Sequence, residues 1–145
     1  MVVEMTNQSL ASSSDVRFVP DGAYQPGVCN IGHAEIRRRR ATGHVGLVAA
    51  IGTLAMLVVV DAPAILRLLV VLPATLSAAG YLQARMRFCA NYGWRGIFNV
   101  GDIGDDGQVA DRAARAADRR LALRIGLGSL ANGLAAGIVG GLLPI

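Results

Sequence analysis

The chain is 145 residues long, 53% hydrophobic and only 17% charged, with 18 glycines. A soluble domain of this length carries about 25% charge, so the composition argues against an ordinary water-soluble fold and for lipid as the solvent. The net charge is +4, all 14 basic residues are arginine, and two cysteines are too few for a disulfide scaffold.

Residues 1–28 are polar and serine-rich, carry Pro20 and Pro26, and show no apolar periodicity. A packed element there would bury too little to offset its ordering entropy, so the segment reads as a disordered tail. It has neither the basic start nor the apolar core of a cleavable signal peptide. Insertion into a membrane therefore falls to internal segments.

After Cys29, Asn30 can cap a short helix, NIGHAEIRRRR, which lies in the interface or runs on into a span. The first uncharged run, about residues 43–60, spans about 27 Å at 1.5 Å per residue, just enough for a bilayer core. Asp61, Ala62 and Pro63 break it. Asp61 suits an N-cap and Pro63 a first turn, so a second helix should return antiparallel over about residues 64–82. Within it, Arg67 lies one turn from the start and should snorkel to the headgroups, and Pro73 should kink the helix.

Residues 101–107, GDIGDDG, form a turn-rich connector without the spacing of a calcium loop, and read as a helix entry. From Gln108 the sequence favours an amphipathic helix in which Asp111 and Arg115 can pair, giving a connector-plus-helix region over 100–124. A third span covers 125–145. The fold class is therefore all-α: an integral membrane protein with a transmembrane hairpin, a third transmembrane helix and short interfacial helices.

Small residues recur every four positions in the third span: Ser129, Gly133, Gly137 and Gly141, and beside them Gly128, Asn132, Ala136 and Gly140. Such a face lets backbones approach closely, with Asn132 able to add an interhelical hydrogen bond. Its partner is either a second copy, giving a homo-oligomer, or the chain's own hairpin.

The arginines set the expected orientation. Arg37, Arg38, Arg39 and Arg40 precede the first span, and a second group from Arg85 to Arg124 lies between the second and third, so both groups fall on one face. Basic residues beside a span are retained on the cytoplasmic side. The reading is N-terminus inside, C-terminus outside, in the inner (plasma) membrane. The same rule accounts for the basic cluster without nucleic acid. Tyr92, Trp94 and Phe98 are read as headgroup-level aromatics rather than a base-stacking surface.

Two motifs at the inner end carry a resemblance. Asn30, Gly32, Glu35 and Arg39, followed by a span, resemble the opening of the YgaP-like bacterial inner-membrane domain, where N-x-G-x-x-D-R-x-x-R leads into a two-helix hairpin. That hairpin closes on C-P-x-Y-x-x-x-G and a polar residue, and Cys89, Tyr92, Gly96 and Asn99 stand at the matching places. Together they cover residues 29–99. Glu35 replaces the family's Asp, Ile36 its Arg, Ala90 its Pro and Asn99 its Thr, and the third span is an addition to the pattern.

The resemblance implies a domain of unknown function that occurs alone or joined to a rhodanese sulfurtransferase. It therefore points to a rhodanese-like partner and to sulfur transfer or thiol redox chemistry at Cys89, with Cys29 second. Against this, no catalytic set, phosphate loop or paired metal-ligand motif is present, so neither cofactor nor metal is expected. Cys29, His33 and Cys89 make a weak ligand set. The expectation is a non-enzymatic anchor, scaffold or accessory subunit presenting an arginine-rich face to the bilayer and to a cytosolic or membrane protein. Sulfur or thiol chemistry is the alternative, and an oligomeric transporter or channel the lesser one.

Overall fold

A computed structural model describes residues 23–143. The first helix, α1, runs His33–Val59. The second candidate span, here termed the return span, covers Ala64–Arg85: a first turn, α2 (Ala64–Arg67), a 3-10 turn at Leu68–Val70, then α3 (Val71–Arg85). A short helix α4 (Ala90–Arg95) and a two-residue strand β1 (Ile97–Phe98) follow. The strand β2 (Gly107–Gln108) pairs antiparallel with β1, and α5 (Arg112–Leu142) closes the chain. Three helices are thus long and apolar enough to cross a membrane.

Several local expectations change, each for a physical reason. Asp61 does not cap the second span. It sits at φ +52°, its N–H bonded to the Val58 carbonyl and the Ala62 N–H to the Leu57 carbonyl, the paired bonds that close a helix in a Schellman motif. Pro63 is the N-cap instead. The same motif ends α3, with Arg87 at φ +51° and the Phe88 N–H bonded to the Gln83 carbonyl.

The irregularity expected at Pro73 appears one turn earlier, as the 3-10 turn. The proline has no N–H for the carbonyl four residues back and its ring crowds that group, so the preceding turn tightens. Arg67 does not snorkel. It is 4% exposed, its Nε donating to the Ala62 carbonyl at 3.0 Å and its Nη1 to the Leu143 carbonyl at 3.1 Å. The guanidinium thus ties the hairpin tip to the end of α5, where helix carbonyls lack partners.

Connector and helix also divide differently. Residues 101–107 form the turn between β1 and β2, and the helix begins at Arg112 rather than Gln108. Asp111 caps it by accepting from the Ala114 N–H at 2.8 Å, while Arg115 Nε donates to the Val109 carbonyl. The expected Asp111–Arg115 pair yields to these two backbone partners. From Arg112, α5 continues without a break through the apolar stretch to Leu142.

Small residues set the packing of the three long helices. Gly43, Gly46 and Ala50 on α1 face Ser77, Gly80 and Ala84 on α3, all buried. A Cβ on Gly80 would strike the backbone of Gly43 and Arg39, and one on Gly46 would strike the backbone of Ser77. The approach lets Ser77 Oγ donate to the Gly43 carbonyl at 2.9 Å.

On the other side of the return span lies α5. A Cβ on Gly133 would collide with Thr75, and one on Gly137 with Val71. Ser129, Gly133, Gly137 and Gly140 are buried, and Gly141 lies against Ala64. The glycine face therefore packs on the chain's own hairpin, which removes it as a surface for a second copy. Asn132 is off this face: it is exposed, and its Nδ2 donates to the Gly128 carbonyl at 2.8 Å in its own helix. Among the described residues it makes no interhelical hydrogen bond.

The return span is central, with α1 and α5 on its two sides. Outward, Val48, Ile51, Val59, Leu72, Leu127 and Val139 are each more than half exposed. That is far more exposed apolar surface than a soluble monomer carries.

Candidate functional site

The chemistry-bearing residues gather at the end of the bundle where α1 starts and α3 finishes. There the chain must turn from apolar helix into polar loop, and backbone groups need partners. Asn30 supplies them across 59 residues of sequence. Its Nδ2 donates to the Cys89 carbonyl at 3.1 Å, and its Oδ1 accepts from the Cys89 N–H at 2.6 Å. The Asn30 and Ile31 N–H groups both donate to the Arg87 carbonyl. Asn30 is thus a clasp between the two strands of chain, not the helix cap its position suggested. That role falls to Gly32, which has no side chain to cap with.

Gly32 is where it is because nothing larger fits. A Cβ there would strike the Val100 carbonyl. The close approach lets the Gly32 N–H donate to the Asn99 carbonyl at 2.7 Å and the Asn99 N–H to the Asn30 carbonyl at 2.9 Å. Asn99 Nδ2 reaches Asp106 Oδ1 at 3.1 Å, which anchors the β1–β2 turn. Gly96, at φ +71°, ends α4 in the left-handed conformation and lets the chain enter β1.

Above this clasp sits a carboxylate. Glu35 is 1% exposed, with Arg39 at 3.4 Å and Arg38 at 3.6 Å. Both are ion-pair distances, but only the Arg39 contact is a hydrogen bond. Glu35 Oε1, Arg39 Nε and Asn99 Oδ1 are buried without a hydrogen-bond partner among the described residues. Tyr92 lies close enough to be perturbed: burial raises its phenol above the usual value, and the charges of Glu35, Asp106 and Cys89 push the same way against Arg39. Asn30, Gly32, Cys89 and Asn99, drawn from two distant motifs, are thus joined in one polar knot, with the Glu35–Arg39 pair and Tyr92 beside it and Gly96 turning the chain into β1.

The thiols are not presented to solvent. Cys89 is fully buried, as the residue before α4, and its carbonyl accepts from the Gly93 N–H. Cys29 is 9% exposed, with its Sγ directed at the Ile31 carbonyl at 3.6 Å. Both are free. His33 is exposed, and among the described residues no group of three or more His, Cys, Asp or Glu side chains is placed to hold a metal.

Two features were not read from sequence. Asp118 is wholly buried on α5 and accepts from Tyr24 Oη at 2.8 Å and the Gly27 N–H at 2.7 Å. Burial and this carboxylate raise the Tyr24 phenol well above its ordinary value. Tyr24 also stacks on Phe98 at 4.6 Å. Residues 24–28, placed in the disordered tail by composition, therefore belong to a turn docked on α5, while 1–22 lie outside the described residues. A Tyr-x-x-Gly pair facing a lone Asp on an alanine-rich helix gives no periodic signal, so only the fold brings it out.

The second feature is the pair Tyr81 and His44, whose Oη and Nδ1 lie 2.6 Å apart at the level where the arginines end. Around this end the arginines of α1, α4 and α5 stand exposed, Arg39 excepted. Arg119 lies over the Trp94 ring at 5.8 Å. No family model, curated protein or solved structure matches the chain.

Proposed function

We propose that this chain is a multi-pass inner-membrane protein that acts as a non-enzymatic anchor. Its three spans hold a rigid, arginine-rich knob at the cytoplasmic surface, with the N-terminus inside and the C-terminus outside. The observation that carries this reading is the division of the surface. Apolar side chains cover the outside of all three spans, and the exposed arginines crowd one end. Lipid needs the first and an anionic inner leaflet favours the second.

The polar knot serves this role by fixing the knob's shape. Every hydrogen bond of the Asn30 amide described above goes to backbone, so the residue organises chain rather than substrate. Cys89 supports the anchor over sulfur transfer, because a thiol with no exposed surface cannot meet a persulfide donor without local opening. The meeting of both motifs in one knot supports the YgaP-like resemblance, and with it a protein partner at the cytoplasmic face.

Single-cysteine labelling tests orientation. In a Cys29→Ser, Cys89→Ala background, Gly101→Cys should react with a membrane-impermeant maleimide only in inverted vesicles. Val60→Cys should react only in right-side-out vesicles. The opposite pattern would overturn the orientation, and reaction of both from one side would overturn the spanning arrangement.

A further inference from the structure

Where α4 meets α5, the surface changes character within two helical turns. A cleft of about 430 Å³ runs down α5, lined by Ala122, Leu123, Gly126, Leu127 and Leu130 and walled on the α4 side by Trp94. Nothing stands within 4 Å of where a Cβ on Gly126 would be, so its floor is open. Directly above, a second cleft of about 470 Å³ is lined by Arg112, Arg115 and Arg119. Arg119 precedes Ala122 and Leu123 by three and four residues, placing it on the same helix face one turn up. It also lies over Trp94, so one guanidinium stands at the mouth of the apolar cleft.

The neighbouring acids do not neutralise this mouth. Asp118 is buried and bound to Tyr24 and Gly27, and Asp111 caps the helix start. The cleft is therefore apolar at the depth of acyl chains and cationic at the depth of phosphates, with an indole between.

We propose that this cleft binds one anionic phospholipid. An acyl chain lies along Ala122, Gly126 and Leu130, and the phosphate meets Arg119 beside Trp94. The occupant is a lipid rather than a free phosphate because the apolar cleft continues the cationic one, and a soluble anion would leave it unfilled. It is anionic rather than zwitterionic because Arg112, Arg115 and Arg119 line the upper cleft and, among the described residues, none of them is paired with a carboxylate. The proposal rests on the membrane reading above.

Trp94 is the chain's one tryptophan and stands in the site, so its fluorescence reports the occupant. The full chain is reconstituted in phosphatidylcholine vesicles. Acyl-brominated phosphatidylglycerol or acyl-brominated phosphatidylcholine is then added at equal low mole fraction. The anionic probe should be enriched at Trp94 about fivefold over its mole fraction, the scale of one interfacial arginine. Arg119→Gln should remove the preference, Arg119→Lys should retain most of it, and Arg40→Gln on α1 should leave it unchanged.

Equal quenching by the two probes in the unaltered chain would overturn the site while leaving the membrane reading intact. So would a preference that survives Arg119→Gln. Quenching by neither probe would show that Trp94 does not meet lipid and would also overturn the site, whereas loss of the chain from the vesicles on flotation would contradict the membrane reading itself.

Discussion

Replacing Asn30 by alanine should loosen the end of the bundle where α1 starts and α3 finishes, and expose Cys89. The side chain makes two hydrogen bonds, to the carbonyl and the N–H of Cys89, at 3.1 and 2.6 Å. All four groups are buried, Asn30 and Cys89 completely. Alanine removes both partners and leaves the buried Cys89 N–H unsatisfied, while the Cys89 carbonyl keeps the Gly93 N–H. With about 1–3 kcal/mol for the orphaned N–H and about 1 kcal/mol for the second lost bond, the clasp weakens by about 2–4 kcal/mol.

That loss falls mainly on local opening of the segment from Arg87 to Gly93. A loss near 3 kcal/mol raises the open population by about two orders of magnitude. In a Cys29→Ser background, alkylation of Cys89 in mild detergent should be slow, and about a hundredfold faster with Asn30→Ala. Asn30→Asp makes a finer comparison, because its carboxylate can still accept from the Cys89 N–H but would face the Cys89 carbonyl with no proton to donate. It should lie between wild type and alanine. Unchanged alkylation in Asn30→Ala would refute the clasp. Fast alkylation of Cys89 in the unaltered chain would reopen the sulfur-transfer reading.

Three further outcomes follow from the packing and the electrostatics. Gly137→Leu or Gly133→Leu should lower the thermal midpoint in detergent by separating α5 from the return span, at a cost of several kcal/mol, while size-exclusion mass stays unchanged because the contact is within one chain. Asp61→Gly should raise stability by about 0.5 kcal/mol, measured by chemical unfolding in mixed micelles, because a side chain is removed from a left-handed position. Tyr24 and Tyr92 both hold their protons more tightly when folded. Their contribution is therefore complete below the usual phenol value near 10 and is lost as pH rises through the raised folded-state values. Absorbance titration should show two late-ionising tyrosines, with Tyr24→Phe deleting one.

What could be read in sequence was what period and composition encode. The three apolar runs needed only counting, because lipid allows a bare helix and little else. The α5 glycine face was readable in spacing, but its partner was not, since a stripe carries no record of which helix it meets. The matching signal on the hairpin, Gly43, Gly46 and Ala50 against Ser77, Gly80 and Ala84, was present at the same kind of spacing and went unread. Its glycines are diluted among equally small alanines.

The local misreadings have a shared cause. Asp61 before Ala62 and Pro63 is compatible with capping the next helix or closing the last one, and hydrogen bonds reaching back to Leu57 and Val58 decide it. Asn30 before a helical run looks like a cap, yet its amide is worth more across the chain, where Cys89 offers a donor and an acceptor together. Arg67 near a helix start should reach for water, but the end of α5 brings unpaired carbonyls within its reach. In each case a backbone partner overrides the first local expectation, and for Asn30 and Arg67 that partner is distant in sequence. Asp118 shows the limit: nothing near it in sequence distinguishes the buried aspartate from the exposed Asp111.

The central claim is that α1, the return span and α5 are embedded in a bilayer, and alkaline carbonate extraction of isolated membranes tests it most directly. The account predicts that the intact chain stays in the membrane pellet with integral proteins and is released only by detergent. Recovery of the chain in the carbonate supernatant, folded and free of lipid, would contradict it.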